Sequence, residues 1–241
     1  MKILLTNDDG IKTKSTFHLA KLLKKEGHEV DIVIPVENMS GIGSAMYFRK
    51  ELIIDKLNDG VYTVTGTPSD CVNLVVGGAI LENNYDLILS GINSGENAGV
   101  AIYDSGTVSA ARRAKIYGYN SIAASYENMN PHEDEMKIIN EYLVNLLSKE
   151  NFFMQQENNE FININIPTIP KNIDIDFWVN NLKVMKTYVG QGRYLPFFDK
   201  LDNNKFIYNN HDCLDKNTFF DGCDHDTIAK GMVSLSKIKL L

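Results

Sequence analysis

The sequence predicts an α/β chain: a mostly parallel sheet with helices on both faces, followed by a C-terminal extension of short strands and loops. Three observations carry this. Short apolar runs (Ile3-Leu4-Leu5, Val30-Asp31-Ile32-Val33-Ile34, Asp86-Leu87-Ile88-Leu89 and Ser121-Ile122-Ala123-Ala124) alternate with helical periodicity over the first 125 residues. The links between them are short, as parallel strands joined by crossover helices require. Beyond Pro170 the texture changes to Asn, Asp and isolated aromatics, with no further strand–helix units. The chain thus divides into a core over 1–170 and an arm over 171–241 that returns to the core.

Taken in order, Ile3-Leu4-Leu5 is a buried strand that empties into Asn7-Asp8-Asp9-Gly10. Phe17, Leu19, Ala20, Leu22 and Leu23 then recur at helical spacing through Lys24-Lys25, and the helix stops near Gly27. The second strand ends at Pro35, and a polar, glycine-containing loop covers 37–44. Residues 51–65 form short strands around the Asn58-Asp59-Gly60 turn, and Asp70 caps a helix through Val72, Val75, Val76 and Ile80. The strand at 86–89 opens into the loop Ser90-Gly91-Ile92-Asn93-Ser94-Gly95. Ser105-Gly106-Thr107 starts a helix through Ala114. Met136, Ile139, Tyr142, Leu143 and Leu146 mark one stripe of an amphipathic helix over 131–149. Phe161-Ile162-Asn163-Ile164-Asn165-Ile166 alternates as a half-buried strand does.

Composition excludes several classes. A net charge of −7 without a basic block argues against binding a nucleic-acid polymer or a membrane surface. No stretch approaches the roughly 20 apolar residues of a membrane span. Cys71, Cys213 and Cys223 lack CxxC spacing, which suggests reduced thiols and a cytoplasmic location. His18, His28, His132, His211 and His225 are scattered without the spacing of zinc ligands.

Chemistry concentrates in the loops that follow strands. In a parallel sheet these share one edge, so Asp8-Asp9, Ser40-Gly41, Asn93-Ser94-Gly95 and Ser105-Gly106-Thr107 converge there. Adjacent carboxylates repel, and a hard cation relieves them; two carboxylates, a hydroxyl and an amide oxygen suit Mg²⁺, Mn²⁺ or Ca²⁺. A serine–glycine–threonine helix start offers hydroxyls and N–H groups to an anion. Metal plus anion cradle is the equipment of phosphoester hydrolysis. The plainer reading of each piece alone is a capped turn. A receiver-like signalling domain would also place an acidic pair after its first strand, with Asp55 as phospho-acceptor.

The order of motifs resembles the SurE family, the survival-protein 5′-nucleotidases. The matching stretches are 3–10, Asn38-Met39-Ser40-Gly41, Gly66-Thr67-Pro68-Ser69-Asp70-Cys71-Val72, 90–97 and Ser105-Gly106-Thr107-Val108, with a thinner match at Gly231-Met232-Val233-Ser234-Leu235. The resemblance implies a Rossmann-like fold and one divalent metal ion per subunit, Mg²⁺ or Mn²⁺, held by Asp8, Asp9, Ser40 and Asn93. It implies hydrolysis of nucleoside 5′-monophosphates, with 3′-monophosphates as a further class, and a homodimer or homotetramer built through the C-terminal arm. Ser105, Gly106 and Thr107 would bind phosphate with Asn97. Asp8 and Asp9 are the catalytic candidates, Asp9 nearest the attacking water and Asp8 chiefly a metal ligand. Ser40 as a covalent nucleophile would need a base, which no histidine spacing marks. Alternatives within the fold are polyphosphate or another phosphorylated substrate such as a sugar phosphate, or nucleotide binding with little turnover. The chain departs from the family pattern at Lys12-Thr13-Lys14-Ser15, Met39, Val100-Ala101, Asp104 and Arg113, which shifts the rim of the site and leaves the proposed ligands intact.

Overall fold

The structure, a computed structural model, describes residues 1–149, 156–208 and 214–240. His211 and Cys213 lie outside the described residues. The elements run β1 (Lys2–Thr6), α1 (Ser15–Lys25), β2 (Glu29–Pro35), β3 (Ile54–Asn58), β4 (Val61–Val64), α2 (Pro68–Val76), β5 (Leu87–Ser94), α3 (Gly106–Ile116), β6 (Ser121–Tyr126), α4 (Glu133–Lys149), β7 (Glu160–Ile166), α5 (Ile175–Asn181), β8 (Val184–Thr187), β9 (Phe198–Asp202), β10 (Lys205–Tyr208), α6 (Asp224–Ala229) and β11 (Val233–Lys239). A single 3₁₀ turn, Gly99–Tyr103, precedes α3.

Nine strands form one sheet in the order β3-β4-β2-β1-β5-β6-β7-β11-β8. The pairs from β4 to β7 are parallel, while β3 on β4 and β11 on β7 are antiparallel. Strand order reverses at β1: the chain first moves out through β2 and β4, then crosses back to β5 on the other side. Ligands of open α/β sheets bind at such a reversal, outside the carboxyl ends of the strands. Here β1 and β5 lie side by side there, with Thr6 opposite Ser90.

Alternation along β1 shows both faces covered. Ile3 and Leu5 join a core with Leu19, Leu23, Ile139 and Leu143 of α1 and α4. Leu4 points the other way, into Val72 and Val75 of α2 and Ala110 and Ala114 of α3.

Three local readings change. Asp70 is not the cap of α2: Thr67 is, and its side chain and the Asp70 carboxylate each accept the other's backbone N–H at 3.2 and 3.0 Å, with Pro68 opening the helix. The loop expected after residue 89 is strand, since β5 continues to Ser94 through a register shift between Ser90 and Asn93 against β6. β7 is not half-buried: α3 and the segment carrying Asn97 pack on its polar face, and Asn163 and Asn165 are fully buried. In the arm, β8 and β11 extend the main sheet, while β9 and β10 pair as a separate hairpin. Asp55 sits exposed on the edge strand β3, three strands across the sheet from β1 and its acidic pair, so the receiver-like reading fails.

Candidate active site

The turn after β1 is clamped by Asn7. Its side chain accepts the Gly10 N–H (3.1 Å) and donates to the Thr16 hydroxyl (2.9 Å) and the Gly10 carbonyl (3.3 Å). Gly10 has φ +77°, and a Cβ there would stand 2.6 Å from the Glu37 carbonyl group, so the turn packs directly on the loop carrying Ser40. That loop is tied back in turn: the Met39 N–H donates to the Asp8 carbonyl at 2.6 Å, and the Gly43 N–H to the Asp104 carbonyl at 2.8 Å.

Asp8 emerges from this turn almost fully buried, at the N-terminus of α3. Its carboxylate accepts the Thr107 N–H at 3.1 Å and the Thr107 hydroxyl at 2.5 Å. Gly106 permits the approach, since a Cβ there would lie 2.8 Å from the Asp8 Cβ. Burial raises the Asp8 carboxyl above the usual carboxylate range, and the Thr107 bonds offset this only in part. Burial, and then the Asp8 charge, push Asp9 up to about 7. No cationic side chain stands against either among the described residues. Two adjacent carboxylates, poorly solvated and without a counter-charge, are a site that a cation would stabilise.

A cavity of about 280 Å³ opens beside Asp8, lined among others by Ser40, Asn93, Asn97, Asp104 and Ser105. Residues from the ends of three strands, β1, β2 and β5, thus meet at one opening. Asn93, re-aimed by the register shift in β5, spends its amide N–H on the Gly95 carbonyl at 2.7 Å and keeps its oxygen for another partner. Ser105 is the N-cap of α3: its oxygen accepts the Val108 N–H at 3.1 Å, and the hydroxyl proton is left to donate. Capping and substrate contact are compatible in this one side chain. Asp9 sits half-buried next to Asp8, while Gly106 and Thr107 lie behind it. Thr107 commits both donors to Asp8 instead of the cavity. Among the described residues no histidine lines the opening beside Ser40.

Asn97 is held by residues that sequence reasoning missed. Its N–H donates to Asn165 (2.8 Å), its carbonyl accepts from Asn163 (2.7 Å) and Asn165 (3.1 Å), and its side-chain nitrogen donates to Ser125 (2.8 Å). One amide hydrogen of Asn97 remains. The arm also reaches the site: Tyr194 and Tyr208 line the cavity, and the Tyr194 hydroxyl bonds the Glu96 carboxylate.

The profile of the family described as Survival protein SurE matches residues 3–188. The chain belongs to the SurE family. A 5′-nucleotidase SurE from Caldanaerobacter subterraneus subsp. tengcongensis is 36% identical over 203 residues, covering 82% of this chain and 74% of that protein. One from Maridesulfovibrio salexigens is 33% identical over 99% of this chain and 92% of its own length. The crystal structure of the SurE protein from Aquifex aeolicus superposes with a TM-score of 0.80 at 30% identity, covering 100% of this chain and 94% of that one. The α/β architecture is therefore that of the SurE family. No helix among the described residues is long and apolar enough to cross a membrane.

Proposed function

We propose that this SurE family member is a divalent-metal-dependent phosphatase that hydrolyses nucleoside 5′-monophosphates to nucleoside and phosphate. The observation that carries the reading is the Asp8-Asp9 pair at the reversal of strand order: neither carboxylate has a cationic partner among the described residues, and Asp8 shares its cavity with Ser40 and Asn93. The donor set fits a hard cation: two carboxylates, a hydroxyl and an amide oxygen, with no imidazole or thiolate. Asp8, Asp9, Ser40 and Asn93 would hold one Mg²⁺ or Mn²⁺ per subunit. When bound, such an ion supplies positive charge to the phosphoryl oxygens during transfer.

The chain's own groups do the rest. The Ser105 hydroxyl and the free hydrogen of Asn97 donate to phosphate oxygens, and the Asn163–Asn165 pair holds Asn97 in place. Gly106 and Thr107 serve the site through Asp8, which they fix at the helix N-terminus. Asp9, beside Asp8, orients the attacking water and takes its proton.

The exposed aromatics Phe197, Phe198, Phe206 and Tyr208 around the β9–β10 hairpin support assembly through the arm as a homodimer or homotetramer. Cys71 and Cys223 are free and buried, in keeping with a cytoplasmic protein.

Phosphate release from a panel of 5′- and 3′-monophosphates, polyphosphate and sugar phosphates tests this reading. We expect 5′-monophosphates to lead, and Asp9→Asn to lose at least a hundredfold in kcat. Faster release from a sugar phosphate would reassign the substrate, and full activity of the variant would remove Asp9 from the mechanism.

A further inference from the structure

Beside the Asp8 cavity lies a second cleft of about 510 Å³, between the segment entering α1 and the start of α4. Ser94 and Met129 line both openings, so a ligand seated at Asp8 can extend past them into the cleft. The cleft wall carries Lys12, Lys14, His18 and Lys137. Lys12 follows Asp8 by four residues, a stretch that spans no more than about 14 Å. A chain of net charge −7 has thus gathered cationic side chains within a nucleotide's reach of Asp8 and Asp9. Lys12 and Lys14 also stand in the segment that departs from the family pattern.

The cations are only loosely answered. Glu133 lies 2.9 Å from Lys14 and 3.8 Å from Lys137, and Asp134 lies 2.7 Å from Lys137. All these side chains are substantially exposed, and ion pairs so screened by solvent contribute little, so exchanging them for a phosphate dianion costs little. Lys12 makes no ion pair among the described residues. A neutral nucleoside would leave this charge unused. A leaving group bearing its own phosphate would use it.

We infer that the cleft is a second anion subsite and that the favoured substrate is a nucleoside 3′,5′-bisphosphate, its scissile 5′-phosphate at Asp8 and Asp9 and its 3′-phosphate on Lys12 and Lys14. This rests on the phosphatase reading above and narrows its substrate. In the reaction the water oxygen bonds to the 5′-phosphorus and the P–O5′ bond breaks. The water's proton balances the departing O5′, giving inorganic phosphate and a nucleoside 3′-monophosphate.

The test compares adenosine 5′-monophosphate with adenosine 3′,5′-bisphosphate on the wild type and on a Lys12→Gln/Lys14→Gln double variant, in the presence of Mn²⁺. The wild type should favour the bisphosphate at least tenfold in kcat/KM, mainly through KM, and the double variant should bring that ratio close to one. A wild-type ratio near one overturns the subsite, as does a preference that survives the substitution. Absence of release from both nucleotides would instead overturn the phosphatase reading. Calorimetric binding of the same two nucleotides then decides the subsite: tighter, lysine-dependent binding of the bisphosphate upholds it, and equal affinities reject it.

Discussion

Asp8 and Thr107, 99 residues apart in sequence, form a two-point contact in which the threonine N–H and hydroxyl both donate to one carboxylate, at 3.1 and 2.5 Å. The contact joins the end of β1 to the start of α3. It fixes the carboxylate's direction and shares the charge with the helix terminus.

Thr107→Val keeps the side-chain shape and removes the hydroxyl. A hydrogen bond to a charged group is worth about 1.5–3 kcal/mol, so metal affinity should fall roughly 10- to 100-fold while the fold persists. Titration of Mn²⁺ into wild type and variant checks this. Unchanged affinity would mean that Asp8 needs no help from α3.

Gly106→Ala places a methyl 2.8 Å from the Asp8 Cβ, and the α3 terminus must retreat. We expect metal binding and phosphate release to fall together, by at least tenfold. Circular dichroism should show native helix content; a variant with wild-type kinetics would show that the close approach is dispensable.

The raised carboxyls give a pH dependence of fixed sign. Folded Asp9 titrates at about 7, against about 4 in an unfolded chain. Between those values the folded protein binds more protons, so metal-free stability falls as pH rises through this window. Asp8 and Glu96, both raised chiefly by burial, act in the same direction. Added Mn²⁺ should therefore raise the melting temperature more at pH 8 than at pH 5. Equal shifts at both pH values would contradict the uncompensated pair.

Much of this was legible in the sequence because it is local. An apolar run ending in two carboxylates identifies β1 and its loop without tertiary information, and the strand–helix rhythm gives the parallel sheet. Asn163 and Asn165 were not legible, since apolar–polar alternation reads the same whether the polar face meets water or buried backbone. The sequence predicts a loop at Asn93 because its glycine and serine neighbours are turn formers; the irregular pairing of β5 with β6 that keeps it in a strand is a long-range property. The return of β11 between β7 and β8 depends on pairing across about 70 residues, which no local pattern encodes. Thr107 read as a phosphate ligand because its partner Asp8 is distant in sequence.

Asn165→Leu tests the least legible part. It leaves the Asn97 N–H without its acceptor and takes one donor from the Asn97 carbonyl, and a buried unpaired group costs about 1–3 kcal/mol. For a chain of this size that is a fall of roughly 2–4 °C per kcal/mol in melting temperature. KM for nucleotide should rise with it. A destabilised variant with unchanged KM would confine Asn165 to a structural role.

The central claim is that Asp8 and Asp9 hold the metal on which nucleotide hydrolysis depends. The most direct measurement is phosphate release from nucleoside 5′-monophosphates by wild type and Asp8→Asn, before and after EDTA and on returning Mn²⁺. We predict that EDTA abolishes release from the wild type, that Mn²⁺ restores it, and that Asp8→Asn stays inactive throughout. Release that survives EDTA, or an Asp8→Asn protein that Mn²⁺ drives at the wild-type rate, would contradict the account.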